Sequence, residues 1–296
     1  MNPLFRPTME EFEKLSFKVT DMMREHAFPY IAAISTEIEP NEGEHRGTGL
    51  YVELGNDTYL LTNEHVARKI KERPLAHQLI EGEGASRITN PVQAAFYPYD
   101  LAVTRIDRGI WSQENNRRRA FQVARLAIKH DPVDKDFLFL QGYSGERSYF
   151  SPTHQILINK ATSFLTQSTK EPFVNLPAML FALHYPPDLA KSLTPNSGGL
   201  PIPFGLSGSP VWDTNFHRCV LDGRRWTPEE SRITGVALRW SDATAHLLVL
   251  RIEYVREFLL YALRNEAAYF HWVERGRPNE EALVDWDWAE RNIPSL

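Results

Sequence analysis

The chain has 296 residues, of which 42% are hydrophobic, and this is the composition of a globular protein long enough to bury a substantial core. Its formal net charge of −5 disfavours a nucleic-acid partner, and no apolar run approaches the roughly 18 residues that a membrane span needs. The charged first twenty residues do not resemble a signal peptide and Cys219 is the only cysteine, so we expect a cytoplasmic protein with neither a membrane anchor nor a disulfide.

Residues 1–27 contain the signature of a helix N-terminus. Thr8 and Glu11 form a capping box, and Phe12, Leu15 and Val19 then repeat at helical spacing. The sequence therefore predicts an N-terminal helix.

Residues 28–110 change to short apolar segments separated by turns, which is typical of antiparallel strands. The sequence Gly55-Asn56-Asp57 predicts a hairpin turn, and a short helix is expected around His65. Strands are predicted at 28–38, 47–54, 58–62, 87–96 and 101–106. Residues 111–135 are polar and are interpreted as the connection to a second β-unit.

That second unit is predicted over residues 136–250, and it contains a loop at 186–203 rich in Pro, Gly and Ser. Strands are expected at 137–141, 155–158, 162–167, 179–184, 210–212, 233–239 and 246–250. Many short strands with turns between them favour a mainly β fold of two barrels flanked by helices.

Residues 251–296 return to helical spacing, and Gly276 predicts the end of one helix before a second that starts near residue 280. One apolar face is predicted from Ile252, Val255, Leu259 and Ala262. The tail is also rich in aromatic residues, namely Tyr269, Trp272, Trp286 and Trp288. This pattern resembles a small bacterial helical domain of unknown function. We expect a hairpin packed on the β body, or a docking site for a regulatory protein partner.

The sharpest chemical signal is the turn Gly205-Leu206-Ser207-Gly208-Ser209-Pro210, which precedes a predicted strand. Acyl transfer requires a nucleophilic hydroxyl on a tight turn, with backbone N–H groups directed at the developing oxyanion. We therefore interpret Ser207 as a nucleophile and the N–H groups of Gly205 and Ser207 as an oxyanion hole.

Two further residues suit the same chemistry. His65 lies at the end of a predicted strand, where a general base is held rigidly, and Asp100 precedes a buried strand from which a carboxylate can orient an imidazole. The chain order His65, Asp100, Ser207 is that of one class of serine protease.

With these motifs, residues 28–260 resemble the chymotrypsin- and trypsin-like serine proteases, and more closely their disulfide-free bacterial branch. The resemblance implies two antiparallel six-stranded barrels, with His65 and Asp100 on the first and Ser207 on the second. It further implies a bacterial endopeptidase that cuts protein or peptide substrates without a cofactor. The scattered histidines and the absence of a cysteine pair predict no metal site. Because a free protease in the cytosol would be harmful, we expect it to be restrained by a partner or a conformational switch. The rivals are a catalytically silent scaffold that binds proteins and an esterase that uses the same three residues.

The resemblance also suggests a substrate pocket formed by Pro201, Leu238, Arg239 and Trp240. No carboxylate stands at the expected pocket floor, so this lining disfavours basic side chains and suits small or medium apolar ones.

Two other serines lie in sequences that resemble nucleophile motifs but fit them less well. Ser197 follows Pro195, which has no N–H to donate to an oxyanion, and Ser144 lacks the second glycine of a nucleophile elbow, so a tight turn is expected there. Cys219 is expected to be a buried, inert thiol.

Overall fold

The computed structural model of the chain describes residues 8–39, 42–79, 84–167, 176–191, 199–278, 281–293 and 295–296. The strands form two sheets that are antiparallel apart from one short parallel pairing, with one long helix before them and two after them. The predicted fold class, mainly β with two antiparallel units and terminal helices, is therefore confirmed.

The N-terminal helix α1 (Met9–Ala27) begins at the predicted capping box. Thr8 Oγ1 accepts a hydrogen bond from the Glu11 N–H at 3.2 Å, and the Thr8 N–H donates to Glu11 Oε2 at 2.8 Å. The ring of Phe12 lies 5.5 Å from that of Phe137 between centroids, so α1 packs on the second sheet.

The segment that carries His65 follows one strand of the first sheet. The strands of this sheet are β1 (Ile31–Glu39), β2 (Glu42–Leu54), β3 (Asp57–Thr62), β4 (Leu75–His77), β5 (Ser86–Arg87), β6 (Val92–Ala95), β7 (Leu101–Arg105) and β8 (Phe121–Gln122). They run in the order β5-β4-β1-β2-β3-β7-β6, with β8 beside β2. Two short helices, α2 (Glu64–Ala67) and α3 (Arg108–Trp111), follow β3 and β7.

The second sheet carries the Ser207 turn. It contains β9 (Phe137–Ser151), β10 (Ile156–Gln167), β11 (Leu180–His184), β12 (Pro210–Asp213), β13 (Arg232–Ser241) and β14 (His246–Arg251). The order is β10-β9-β12-β13-β14-β11, and the short helix α4 (Phe216–Leu221) follows β12. The Ser207 turn therefore enters the middle of this sheet.

In the part of the chain that the structure describes, the expectation of six strands in each unit is correct for the second sheet and wrong for the first, which has eight there. The additional pairing includes β8, inside residues 111–135, where Phe121 lies opposite Val52 in a parallel pair. The polar composition of this segment concealed Phe121, which is fully buried. The predicted connection thus contributes to the first sheet.

Aromatic side chains join the two sheets. Trp212 of the second sheet packs edge-on against Phe121 of the first, with ring centroids 5.1 Å apart, and Tyr30 meets Phe121 at 5.2 Å. Phe121 and Trp212 are fully buried in a core shared by both sheets. This shared core fixes the two sheets against each other and therefore fixes the residues at their junction.

The C-terminal helices α5 (Ile252–Glu274) and α6 (Ala282–Asn292) form the predicted hairpin. All four residues of the predicted apolar face are buried. The Gly276 N–H bonds to Val273 O and the Arg277 N–H to Trp272 O, each at 3.0 Å, and Gly276 has a φ of 84°. This is a Schellman ending, which requires a residue that tolerates positive φ.

Buried ionic contacts hold the hairpin together and attach it to the first sheet. Asp285 of α6 accepts hydrogen bonds from His271 Nδ1 at 2.7 Å and from the Arg275 guanidinium at 3.0 Å. Glu266 of α5 accepts from the Tyr59 hydroxyl at 2.6 Å. The hairpin is therefore packed on the β body.

Poorly solvated histidines make the stability of the fold depend on pH. Burial lowers the pKa of His45 and of His77 to about 4, and that of His130 to about 3. An unfolded histidine has a pKa near ~6.5, so below that pH the unfolded chain binds more protons than the native state. Asp213 acts in the opposite sense, because burial raises its pKa to about 7 and the native state then keeps a proton that the unfolded state loses above ~3.9.

The three histidines with lowered pKa values affect the proton balance more than the one carboxyl with a raised pKa, so the unfolded chain binds more protons than the native state below pH 6.5. We therefore expect the free energy of unfolding to fall between pH 6.5 and 4, by about 1.4 kcal/mol per pH unit for each net proton taken up on unfolding. Urea unfolding at several pH values measures it, with His154→Gln as a control that removes an exposed imidazole. A free energy that stays constant or rises on acidification contradicts this expectation.

Candidate active site

His65 and Asp100 lie in direct contact at the end of the first sheet. His65 is the second residue of α2, directly after β3, and Asp100 directly precedes the neighbouring strand β7. His65 Nδ1 lies 2.7 Å from Asp100 Oδ2, and the His65 backbone N–H donates to Asp100 Oδ1 at 3.0 Å. Asn63 supports the pair by donating its amide to Asp100 O at 2.9 Å.

This geometry assigns the tautomer of His65. A carboxylate can only accept, so Nδ1 carries the proton and Nε2 keeps a free lone pair. Asp100 is 4% exposed, whereas the His65 side chain is 31% exposed. An imidazole whose Nδ1 is held by a carboxylate and whose side chain reaches the surface is the arrangement that a general base requires.

The Ser207 turn can be made only with glycine at two positions. Gly205 and Gly208 have φ values of 93° and 87°, a region that favours glycine. A Cβ on Gly208 would lie 2.0 Å from Thr48 O, so no side chain fits there. The Gly208 N–H bonds to Ala237 O at 2.9 Å, which fastens the turn to β13.

The segment around Thr48 brings the Ser207 turn and the His65 segment together. The Thr48 N–H donates to Ser207 O at 2.8 Å, and Thr48 O accepts from Thr62 Oγ1, also at 2.8 Å. A Cβ on the neighbouring Gly47 would touch Val66, the residue after His65, at 2.8 Å. The Ser207 turn and the segment on either side of His65 therefore both contact residues 47–48 of β2.

Ser207 Oγ donates its hydrogen bond to Leu238 O at 3.1 Å, and not to His65. Catalytic hydrogen bonds often form only once substrate is bound, so this contact does not exclude a later one to His65. It does place Leu238, and with it the start of the predicted pocket wall, beside the nucleophile candidate.

Backbone contacts orient the Gly205 N–H. The Leu206 N–H bonds to Pro203 O at 3.0 Å, which with the positive φ at Gly205 makes a type II turn. Phe204 O accepts from the Gly145 N–H at 2.8 Å, so the Gly205 N–H of the same trans peptide points the opposite way. Within the described ranges, neither the Gly205 nor the Ser207 N–H donates a hydrogen bond to the protein. Both groups are therefore available as hydrogen-bond donors.

Two residues that the sequence did not single out as functional hold this turn. Thr48 Oγ1 accepts from the Tyr143 N–H at 2.8 Å and donates to Gly205 O at 3.0 Å. His45 Nε2 lies 3.0 Å from Tyr143 O and 3.4 Å from Gly205 O. The sequence predicts only a strand at 47–54, and nothing local relates that strand to residue 205.

We predict that Thr48→Val slows catalysis, because Gly205 O loses a donor and the Tyr143 N–H loses its acceptor in a fully buried place. An unmatched buried polar group costs about 1–3 kcal/mol, so without these two hydrogen bonds the turn that carries the Gly205 N–H is held less firmly. The turnover number should fall by about 10- to 100-fold, and Thr48→Ser, which keeps the hydroxyl, should retain most of it. Equal turnover in both variants would contradict the assignment.

The predicted pocket residues are only partly brought together. Pro201 O accepts from the Tyr185 hydroxyl at 2.8 Å, and the Trp240 ring lies 5.9 Å from that of Tyr185 between centroids. Leu238 is buried beside Ser207, but Arg239 is exposed and faces Tyr97 instead. Tyr185, fully buried between Pro201 and Trp240, was not foreseen from the sequence.

The alternative residues occupy other environments. The tight turn expected at Ser144 is wrong, because Ser144 lies within β9 and its buried hydroxyl donates to Ile202 O at 3.2 Å. Ser197 and Pro195 lie outside the described residues. Cys219 is a buried free thiol, and Glu64, which precedes His65, is 5% exposed.

The described ranges were compared with the requirements of a metal site and of a membrane-spanning helix. They contain no group of three or more His, Cys, Asp or Glu side chains able to hold a metal ion. No helix in them is both long and apolar enough to cross a membrane.

Comparisons with known proteins give one family match and several similar structures. Residues 265–294 match a family described as "Protein of unknown function (DUF2934)", and no curated protein matches the chain. The chain is similar to catalytically inactive tobacco etch virus protease complexed with substrate, at 13% identity and a TM-score of 0.42, covering 77% of this chain and 80% of that one. It is also similar to the MamO protease domain from Magnetospirillum magneticum, at 11% identity and a TM-score of 0.41, covering 77% of this chain and 95% of that one. The active form of a protease from M. tuberculosis is similar at 14% identity and a TM-score of 0.43, covering 81% of this chain and 84% of that one.

Proposed function

We propose that this chain is a serine endopeptidase. The observation that carries the proposal is the His65–Asp100 contact at 2.7 Å, with the Ser207 turn fastened beside it through Thr48. The order of these residues along the chain and the two free N–H groups of the turn support it.

In the first half of the reaction, His65 Nε2 takes the proton of Ser207 Oγ as that oxygen attacks the peptide carbonyl carbon. The N–H groups of Gly205 and Ser207 bind the oxyanion, and Asp100 stabilises the imidazolium. When the intermediate collapses, the C–N bond breaks and His65 gives its proton to the leaving amine, which leaves an acyl group on Ser207.

In the second half, water attacks the acyl carbon and gives a proton to His65. The ester bond to Ser207 breaks, and His65 returns the proton to Ser207 Oγ. Apart from the substrate and water, these steps use only side chains and backbone groups of this chain, so the proposal includes no cofactor.

A peptide-cleavage assay tests the proposal. Extended peptides should yield products with new amino termini, identified by mass spectrometry, and p-nitrophenyl esters should also be hydrolysed. Turnover of esters with no cleavage of any peptide would assign the chain to esterases and overturn the peptidase.

A non-catalytic scaffold that binds peptides is the second candidate. It is favoured by the Ser207 hydroxyl, which donates to Leu238 O and not to His65. In that case the protein binds peptides but cleaves neither peptides nor esters.

The proposal extends to regulation by a protein partner in the cytoplasm, where a free protease needs restraint. Tyr269 and Phe270 of α5 are exposed beside the first sheet, and aromatic side chains commonly anchor protein interfaces. A partner that stimulates hydrolysis should then fail to stimulate a variant carrying Tyr269→Ser and Phe270→Ser. Equal stimulation of both proteins excludes this surface.

A further inference from the structure

Arg239 is an exposed cation next to the Ser207 turn. It follows Leu238, whose carbonyl accepts from Ser207 Oγ at 3.1 Å. Its guanidinium carbon lies 5.9 Å from the centroid of the Tyr97 ring, and none of the described residues gives it a carboxylate partner. Arg239 therefore has the capacity to pair with an anion supplied from outside.

The aromatic ring that faces Arg239, that of Tyr97, belongs to the turn that leads into Asp100. The N–H groups of Tyr99 and Asp100 both bond to Phe96 O, at 3.1 and 3.3 Å, which fixes the turn. Phe96 is 68% exposed and Tyr97 is 72% exposed. Aromatic rings this exposed, next to a cation, form a surface that a peptide can cover.

The backbone beside Arg239 is open on one side. β12 pairs with β13 as far as Val236, and Ala237 still exchanges hydrogen bonds with Gly208 and Ser209. In the described registers, residues 239–241 pair only with β14. An extended peptide can therefore add a strand to this edge of β13, next to Ser207.

We propose that this edge selects peptides with an acidic side chain close to the bond that is cut, and that Arg239 pairs with that carboxylate while its guanidinium lies over Tyr97. The carboxylate of Glu146, near the turn, is not a partner of Arg239, and it accepts a hydrogen bond from the Ile202 N–H at 2.9 Å. The cleavage part of this inference rests on the proposed endopeptidase function, whereas the binding part does not.

Binding to the Ser207→Ala protein tests the selectivity without requiring turnover. The probes are fluorescent octapeptide pools with one position fixed as Asp or Glu, compared with pools fixed as Asn or Gln. At low ionic strength we expect the acidic pools to bind about tenfold more tightly at one position near the centre. Introducing Arg239→Gln should remove that difference, and Arg239→Glu should reverse it in favour of Lys and Arg.

Arg225→Gln is the matched control, since it removes an exposed arginine from the loop between α4 and β13 and should leave the preference unchanged. Equal binding of acidic and amide pools, a preference that survives Arg239→Gln, or no binding of any pool overturns the inference. Failure of the proposed function is a separate result: acidic selectivity in binding together with no peptide cleavage by the natural sequence.

Discussion

Ser207→Ala is expected to lower turnover of a peptide substrate by about 10⁴- to 10⁶-fold, because no other group then attacks the carbonyl. The fold should survive, since among the described residues Ser207 Oγ makes a hydrogen bond only to Leu238 O. Its loss should change the free energy of unfolding by no more than about 1 kcal/mol. Steady-state kinetics and urea unfolding on the same preparation measure both effects.

Ser209→Ala is the matched control for that variant. Ser209 lies two residues further on, its side chain is fully buried, and its hydroxyl has no partner among the described residues. The Ser209→Ala protein should therefore keep its turnover, as should the Ser197→Ala protein. A Ser207→Ala protein with near-normal turnover, or a Ser197→Ala protein without any, would mean that the nucleophile is wrongly assigned.

Asp100→Asn is expected to lower turnover by about 10⁴-fold with little change in structure. The amide has nearly the shape of the carboxylate, but its NH₂ group can donate to His65 Nδ1 and so place the imidazole proton on Nε2. That tautomer cannot accept the Ser207 proton. Asp131→Asn, which removes a surface carboxylate paired with Lys129, should leave turnover unchanged. A loss of less than about tenfold in the Asp100 variant would show that this carboxylate does not orient the base.

The features predicted correctly from the sequence are those with a local cause. The start of α1 depends on two residues three positions apart, and the end of α5 depends on a glycine at one position. Similarly, Gly205 and Gly208 were noticed because a tight turn needs residues that accept positive φ.

The features that escaped prediction depend on contacts between distant parts of the chain. Thr48 bonds to Gly205 across 157 positions, and Tyr185 meets Pro201 only because β11 and the segment before Ser207 fold together. Phe121 pairs with β2 from within a polar segment where no strand pattern is visible. Periodicity and turn composition depend on residues that are close in sequence, so these patterns do not predict contacts between distant parts of the chain.

Covalent labelling with a fluorophosphonate probe tests the central claim most directly, because the probe reacts only with a serine that is activated by a base and faces an oxyanion hole. The protein, incubated with the probe between about pH 6 and 9 and digested for mass spectrometry, should carry one label per chain, on Ser207. Labelling should be absent in Ser207→Ala and strongly slowed in Asp100→Asn. No incorporation at any pH in that range, or incorporation at a serine other than Ser207, would contradict the account.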